Sequence, residues 1–171
     1  GSLKSAEQEL TDALASLQTR FHPNELAYLA STTKAEATFR DRLAFALHQS
    51  CEATGVIVAR EWNRVDLAIL SSDGAPLCLV ELKLMYTFDA LKGVSWWTSK
   101  TYADEIKAVA HAGPRTAVYS LLLVTHLSGS VEHRFRKAVK YSGGINRAIL
   151  ARGDASAVQA EAARVIDADL V

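Results

Sequence analysis

Hydrophobic residues recur at helical spacing near the start of the chain. Four of them lie at offsets of four, seven and eleven residues: Leu10, Leu14, Leu17 and Phe21. This spacing predicts a helix over residues 5–21 with one buried stripe. His22 and Pro23 end the pattern, and Asn24 is a candidate cap for a short helix over residues 25–30.

A second helical pattern predicts a helix over residues 34–49. Phe39, Leu43 and Leu47 are spaced four residues apart and form its buried face. Thr33 and Glu36 have the spacing of a capping box, in which each side chain bonds the backbone N–H of the other residue.

The pattern then changes to strands. Segments 56–61, 65–71 and 77–85 are rich in Val, Ile and Leu. Ser-Ser-Asp-Gly-Ala-Pro, residues 71–76, is typical of a turn, so the second and third segments are predicted to form an antiparallel hairpin.

The second half of the chain alternates helix and strand. A helix is predicted over 101–112, ending at Gly113-Pro114, and a strand buried on both faces over 117–127. Two more helices are predicted over 131–140 and 155–167, with a turn at residues 142–144. This order predicts an α/β protein: a three-layer α/β/α sandwich with a central mixed sheet.

Composition favours one folded domain over residues 3–171, with the leading Gly-Ser interpreted as a tag scar. The chain has 171 residues, of which 49% are hydrophobic, and only two cysteines. We therefore expect neither a disulfide scaffold nor a zinc site. We expect a cytoplasmic location. No apolar run reaches the roughly 20 residues of a membrane span, so no membrane partner is expected.

Charge is balanced overall but not locally. Nineteen Lys and Arg residues match nineteen Asp and Glu residues. From Glu132 to Arg152, six basic residues face one acid. Arg134, Arg136 and Lys137 are therefore candidate nucleic-acid contacts, although an ordinary solvated surface explains them as well.

Candidate chemistry lies in the predicted hairpin. Side chains alternate along a strand, so Glu81 and Lys83 project from one face, and pairing of the strands brings Asp66 close to Glu81. Two adjacent carboxylates repel, and partial burial adds a desolvation penalty. A divalent cation such as Mg²⁺ resolves this conflict because it prefers hard oxygen ligands.

This arrangement resembles the PD-(D/E)xK nuclease superfamily, the restriction-endonuclease-like fold. The likeness rests on Asp66 in "RVDLAIL", on Glu81 and Lys83 in "LVELKL", and on the fourteen residues between Asp66 and Glu81. Val65 stands where many members have proline, and the segment "YADEIK" lacks a glutamine that many members carry.

The resemblance implies Mg²⁺-dependent hydrolysis of a phosphodiester, with Mn²⁺ as a substitute for Mg²⁺. Asp66 and Glu81 would bind the metal and Lys83 would polarise the attacking water. Glu36 on the preceding helix is a further candidate catalytic acid, and Lys100 and Tyr102 are candidate nucleic-acid contacts. DNA is the favoured partner, and cutting both strands of a duplex would call for two active sites, as in a homodimer.

Structural alternatives stay open at each position. Asp66 can pair with Arg60 or Arg64, and Glu81 with Lys83 can be the solvated face of an edge strand. Glu36 can serve only as a cap and as a partner of Arg40. The alternative function is a nuclease-fold module without turnover that binds nucleic acid or a protein.

Overall fold

The computed structural model describes residues 5–92 and 94–170, without the side chains of residues 94–100, 102, 169 and 170. Over these residues the chain forms seven α-helices: α1 (Ala6–Ser16), α2 (Glu25–Thr32), α3 (Glu36–Cys51), α4 (Thr87–Ala90), α5 (Val94–Ala110), α6 (Ser142–Arg152) and α7 (Ala155–Leu170). The strands are β1 (Ile57–Trp62), β2 (Val65–Leu70), β3 (Pro76–Tyr86) and β4 (Ala117–Thr125). They form one mixed sheet in the order β1-β2-β3-β4. The predicted α/β class with a mixed sheet is confirmed.

The chain divides into two compact units. The first comprises Gly1–Pro23, Glu36–Lys83 and Thr101–Leu121, and the second comprises Asn24–Ala35, Leu84–Lys100 and Leu122–Val171. The single domain expected from the sequence stays a prediction. Within the described residues, no helix is long and apolar enough to cross a membrane.

Two hairpins organise the first unit. β1 and β2 meet at a two-residue turn in which Asn63 and Arg64 have φ values of 50° and 70°. Such left-handed values are typical of the turn that matches strand twist in a tight hairpin. The second hairpin, β2 to β3, turns at Gly74 with a φ of 85° and is closed by the bond from the N–H of Ser71 to the carbonyl of Ala75 (2.8 Å). The hairpin predicted from the turn residues is confirmed.

The core of the first unit is apolar and close-packed. Leu43 and Leu47 of α3 are fully buried, as their spacing predicts, and Leu10, Leu17 and Phe21 of the first helical segment are also buried. A second cluster joins Val65, Ala68, Leu70 and Leu79 of the hairpin to Ala108 of α5. These contacts hold α5 on the sheet.

The predicted capping box of Thr33 and Glu36 is wrong, and the predicted Asn24 cap is confirmed in position only. The hydroxyl of Thr33 donates to the carbonyl of Leu29 (3.0 Å), so Thr33 ends α2 and does not begin α3. Asn24 occupies the N-cap position of α2, where its carbonyl accepts from the N–H of Tyr28 (2.9 Å), but its side chain makes no capping hydrogen bond. Ser and Thr can bond the preceding turn as well as the following one, so the spacing alone does not decide between them.

β4 is the last strand in the sheet order and is only partly buried, with Tyr119 and Val124 exposed. The prediction of a central strand buried on both faces is therefore wrong. An apolar run is compatible with a central or an edge strand, because neighbouring residues still cover part of β4.

The segment after β4 also differs from the prediction. Residues 131–140 contain only a 3₁₀ turn, His133–Phe135, and α6 begins at Ser142 within the predicted turn. Packing explains the second glycine of this first turn, since a Cβ on Gly144 would lie 2.7 Å from the ring of Phe88. Phe88 belongs to the core of the second unit, with Tyr86, Ile145, Ile149 and Val158.

Replacing Gly144 by alanine tests this packing. We expect Gly144→Ala to lower the free energy of unfolding by about 1–3 kcal/mol, because the added methyl group overpacks the ring of Phe88. Gly143→Ala is the matched control, since its Cβ would meet only a guanidinium nitrogen of Arg147 at 3.7 Å. Alanine in a helix gains about 0.5–1 kcal/mol over glycine, so the control should be neutral or stabilising. Equal urea-denaturation midpoints for the two variants would contradict the contact.

Candidate functional site

The register of the second hairpin sets Asp66 beside Glu81. Leu67 pairs with Val80 and Ala68 with Leu79, so one further step along the strands brings Asp66 level with Glu81. Residues that face each other across an antiparallel pair have side chains on the same face. Asp66 is also tied to the neighbouring strand, because its Oδ2 accepts a hydrogen bond from the backbone N–H of Leu82 (2.8 Å).

Glu81 is an acid in an almost water-free position. It is 5% exposed, and its carboxyl group is hydrogen-bonded to that of Asp66. One of its oxygens, Oε1, is buried and has no hydrogen-bond partner among the described residues. Burial, followed by the hydrogen bond and the charge of Asp66, raises the pKa of Glu81 from 4.5 to about 8. Glu81 therefore carries a proton at pH 7.

Lys83 lies on the same face of β3, two residues beyond Glu81. Its ammonium group forms an ion pair with Oδ2 of Asp104 on α5. Burial lowers the pKa of Lys83, but the hydrogen bond and charge of Asp104, together with the charges of Glu36 and Asp66, outweigh burial and raise it. Lys83 therefore stays cationic beside the two acids.

Arg40 of α3 is a second cation at the site. Its side chain is 15% exposed, and its guanidinium lies 2.9 Å from Oε1 of Glu61 and 4.0 Å from Oδ1 of Asp66. It also contacts Oδ1 of Asp41 at 3.1 Å. The described ion pair of Asp66 is therefore with Arg40, and not with Arg60 or Arg64, the two partners considered from the sequence. Arg60 pairs with Asp41 instead, at 3.0 Å.

Glu36 begins α3, one turn before Arg40, and is partly buried. Its charge is one of those that raise the pKa of Lys83, which sets Glu36 within electrostatic range of that ammonium. The structure therefore brings Glu36 to the edge of the site, and its catalytic role stays a prediction.

α5 contributes residues that the sequence pattern did not single out. Asp104 holds Lys83 and also Lys107 (2.8 Å), and Thr101 has a buried hydroxyl with no partner among the described residues. Thr101, Asp104 and the buried Ala108 are three and four residues apart, so they share one helix face. Ala108 is the small residue through which α5 packs on the sheet. Asp104 lies one turn before it on the same helix face, so placing that face against the sheet would have predicted Asp104 as a site residue.

Five further residues are predicted nucleic-acid contacts. Arg134, Arg136 and Lys137 belong to the second unit. The side chains of Lys100 and Tyr102 lie outside the described residues. The site consequently consists of Asp66, Glu81, Lys83, Arg40 and Asp104, with Glu36 and Thr101 at its margin.

The acid pair has the chemistry of a ligand set for a hard divalent cation. Among the residues described, no three His, Cys, Asp or Glu side chains are grouped to hold a metal ion. Mg²⁺ in proteins is commonly held by only one or two carboxylates and completes its shell with water. A buried carboxyl oxygen without a hydrogen-bond partner, next to a second carboxylate, fits this requirement.

The chain matches no protein-family model, no curated protein and no solved structure.

Proton binding by Glu81 predicts how stability depends on pH. In the unfolded chain Glu81 ionises above about 4.5, whereas in the folded protein it keeps its proton up to about 8. In this window the folded state binds more protons than the unfolded chain. The stabilisation that comes from the proton on Glu81 is therefore complete below pH 4.5 and is lost as pH rises through 8. We expect the advantage of the wild type over Glu81→Gln to shrink from about pH 5 to 8, by at most about 1.4 kcal/mol per pH unit.

Urea denaturation at several pH values in EDTA measures this difference. Leu79→Ala, a fully buried change on the same strand, is the control, since it removes no titratable group and its cost should not vary with pH. A Glu81→Gln difference that is equally constant would contradict the raised pKa of Glu81.

Proposed function

We propose that this protein is a Mg²⁺-dependent nuclease that hydrolyses phosphodiester bonds, with DNA as the favoured substrate. The observation that carries the proposal is the buried, unpartnered Oε1 of Glu81 against Asp66, with the ammonium of Lys83 on the same face. A protein that used these residues only for stability would lower its free energy by giving that oxygen a hydrogen-bond donor.

In this proposal Asp66 and Glu81 hold the cation, and Glu81 releases its proton to do so. When bound, the cation would supply a water of lowered pKa and would neutralise charge on the phosphate. The residues fit this group, since both are hard oxygen donors and they lie in hydrogen-bond contact.

Lys83 acts as a fixed cation. Asp104 keeps it protonated and orients it, so it serves to position the attacking water and to balance charge that develops on the phosphate. A raised pKa makes Lys83 a poor proton acceptor at neutral pH, and the geometry thus favours electrostatic stabilisation over general-base catalysis.

The restriction-endonuclease-like fold belongs to the same proposal. A mixed sheet in the order β1-β2-β3-β4, with helix α5 between β3 and β4, is compatible with a three-layer sandwich of that kind. The position of Asp66, Glu81 and Lys83 on the β2–β3 hairpin supports this part of the proposal.

A nuclease-fold module without turnover is the second candidate, and the ion pairs of the site favour it. Lys83 is already bound by Asp104, and Arg40 lies 4.0 Å from the carboxylate of Asp66. In such a module the two cations would take the place of the metal as charge compensation.

Cleavage assays test the enzyme proposal. With Mg²⁺ or Mn²⁺ and plasmid, single-stranded DNA or RNA as substrate, Asp66→Ala and Lys83→Ala should each lower the rate by about 100-fold or more. Lys107→Ala is the matched control, because Lys107 also pairs with Asp104 but projects into solvent. Cleavage that survives both site substitutions would refute the assignment.

Metal titration separates the two candidate functions. Calorimetry should show Mn²⁺ binding to the wild type, and Asp66→Asn should weaken it by at least about tenfold. Because Glu81 must lose its proton, binding should release about one proton at pH 7 and far fewer at pH 9, which buffers of different ionisation enthalpy reveal. No binding at millimolar Mn²⁺ would favour the module without turnover.

A further inference from the structure

One segment of the second unit presents basic and aromatic side chains to solvent. We call residues 132–141 the basic loop. Val131 before it is buried and Val139 near its end packs on the same apolar cluster, whereas every residue from 132 to 138 is exposed. The basic loop is therefore a solvent-exposed segment that is anchored to the core by Val131 and Val139.

The backbone of the basic loop is fixed at both ends. The side chain of Asn146 on α6 bonds both backbone groups of Val131, at 2.7 Å to its N–H and 2.9 Å to its carbonyl. Near the other end, the N–H of Lys140 donates to the carbonyl of Ser31 (2.8 Å). The exposed side chains are thus held out by an anchored segment.

The positive charge of this surface is largely uncompensated. In the described part of the chain, Arg136 and Lys137 of the loop and Arg147 of α6 make no ion pair. Arg134 pairs with Glu132 at 2.9 Å, but both side chains are highly exposed, so the pair is weak. Within the basic loop Glu132 is the one acid, against four basic residues: Arg134, Arg136, Lys137 and Lys140.

Two aromatic rings stand among these cations. Phe135 is 45% exposed, with the guanidinium of Arg134 4.6 Å from its centre, and Tyr141 is 42% exposed, with the ammonium of Lys140 5.5 Å from its centre. Tyr141 is the N-cap residue of α6 with a φ of 60°, and its ring meets that of Tyr86 edge-on at 5.3 Å, which holds it in place.

We infer that the basic loop binds single-stranded nucleic acid, with its cations on the phosphates and Phe135 and Tyr141 stacked on bases. This combination of a positive surface and flat rings is the one by which proteins bind unpaired strands. Bases in a duplex are already stacked on one another and offer no face to the rings, and an acidic polypeptide offers charge but no bases. The inference rests on the proposed function and narrows its substrate to unpaired strands.

Fluorescence anisotropy with a labelled oligo-dT of about 15 nucleotides tests the inference. EDTA is present throughout, so no cleavage is needed. Phe135→Ala should weaken binding by about five- to hundredfold, and Phe135→Trp should restore it. The double change Arg136→Gln with Lys137→Gln should reduce the slope of log K against log salt by about 1.4.

Two variants of the same unit serve as controls. Leu150→Ala removes an apolar side chain that is 84% exposed, and Arg164→Gln removes an exposed cation outside the basic loop. Both should bind within about twofold of the wild type, and the duplex of the same length should bind more weakly than the single strand.

The inference is overturned if the duplex binds as tightly as the single strand and Phe135→Ala binds like the wild type, or if polyglutamate competes as well as the oligonucleotide. A cleavage assay of the wild type in Mn²⁺ distinguishes this failure from failure of the proposed nuclease. Strand binding without cleavage by the wild type in Mn²⁺ would refute the nuclease and leave the basic loop's role supported.

Discussion

The contact between Asp66 and Glu81 is the interaction on which the rest of the site depends. The strand register forces two acids side by side, and burial leaves one of their oxygens without a partner. Without a metal, a proton on Glu81 prevents two negative charges from meeting there. Every neighbouring charge at the site can be understood as a response to this pair.

Helices α3 and α5, which precede and follow the hairpin in the chain, position the charged residues next to this pair. α3 brings Arg40 toward Asp66, and α5 brings Asp104 to hold Lys83. Both cations are themselves held by further acids, so the site is a chain of alternating charges whose only unpartnered buried carboxyl oxygen belongs, within the described residues, to Glu81. Such an arrangement is stable with a proton, and under the proposed function it takes up a cation when the proton leaves.

The sequence predicted the parts that depend on local pattern. The turn residues and apolar alternation predicted the hairpin, and strand alternation then put Glu81 and Lys83 on one face. The sequence did not predict Asp104 or Arg40, because their roles depend on how helices pack across the sheet. It also missed α6, since Gly143 and Gly144 are typical of a turn, and only the ring of Phe88 explains why glycine is needed at position 144.

Diffraction from a crystal soaked in Mn²⁺ tests the central claim most directly. An anomalous peak within about 2.0–2.2 Å of carboxylate oxygens of both Asp66 and Glu81 is the predicted result. An acid pair that keeps its mutual hydrogen bond at saturating Mn²⁺, with no peak between the two carboxylates, would contradict the account.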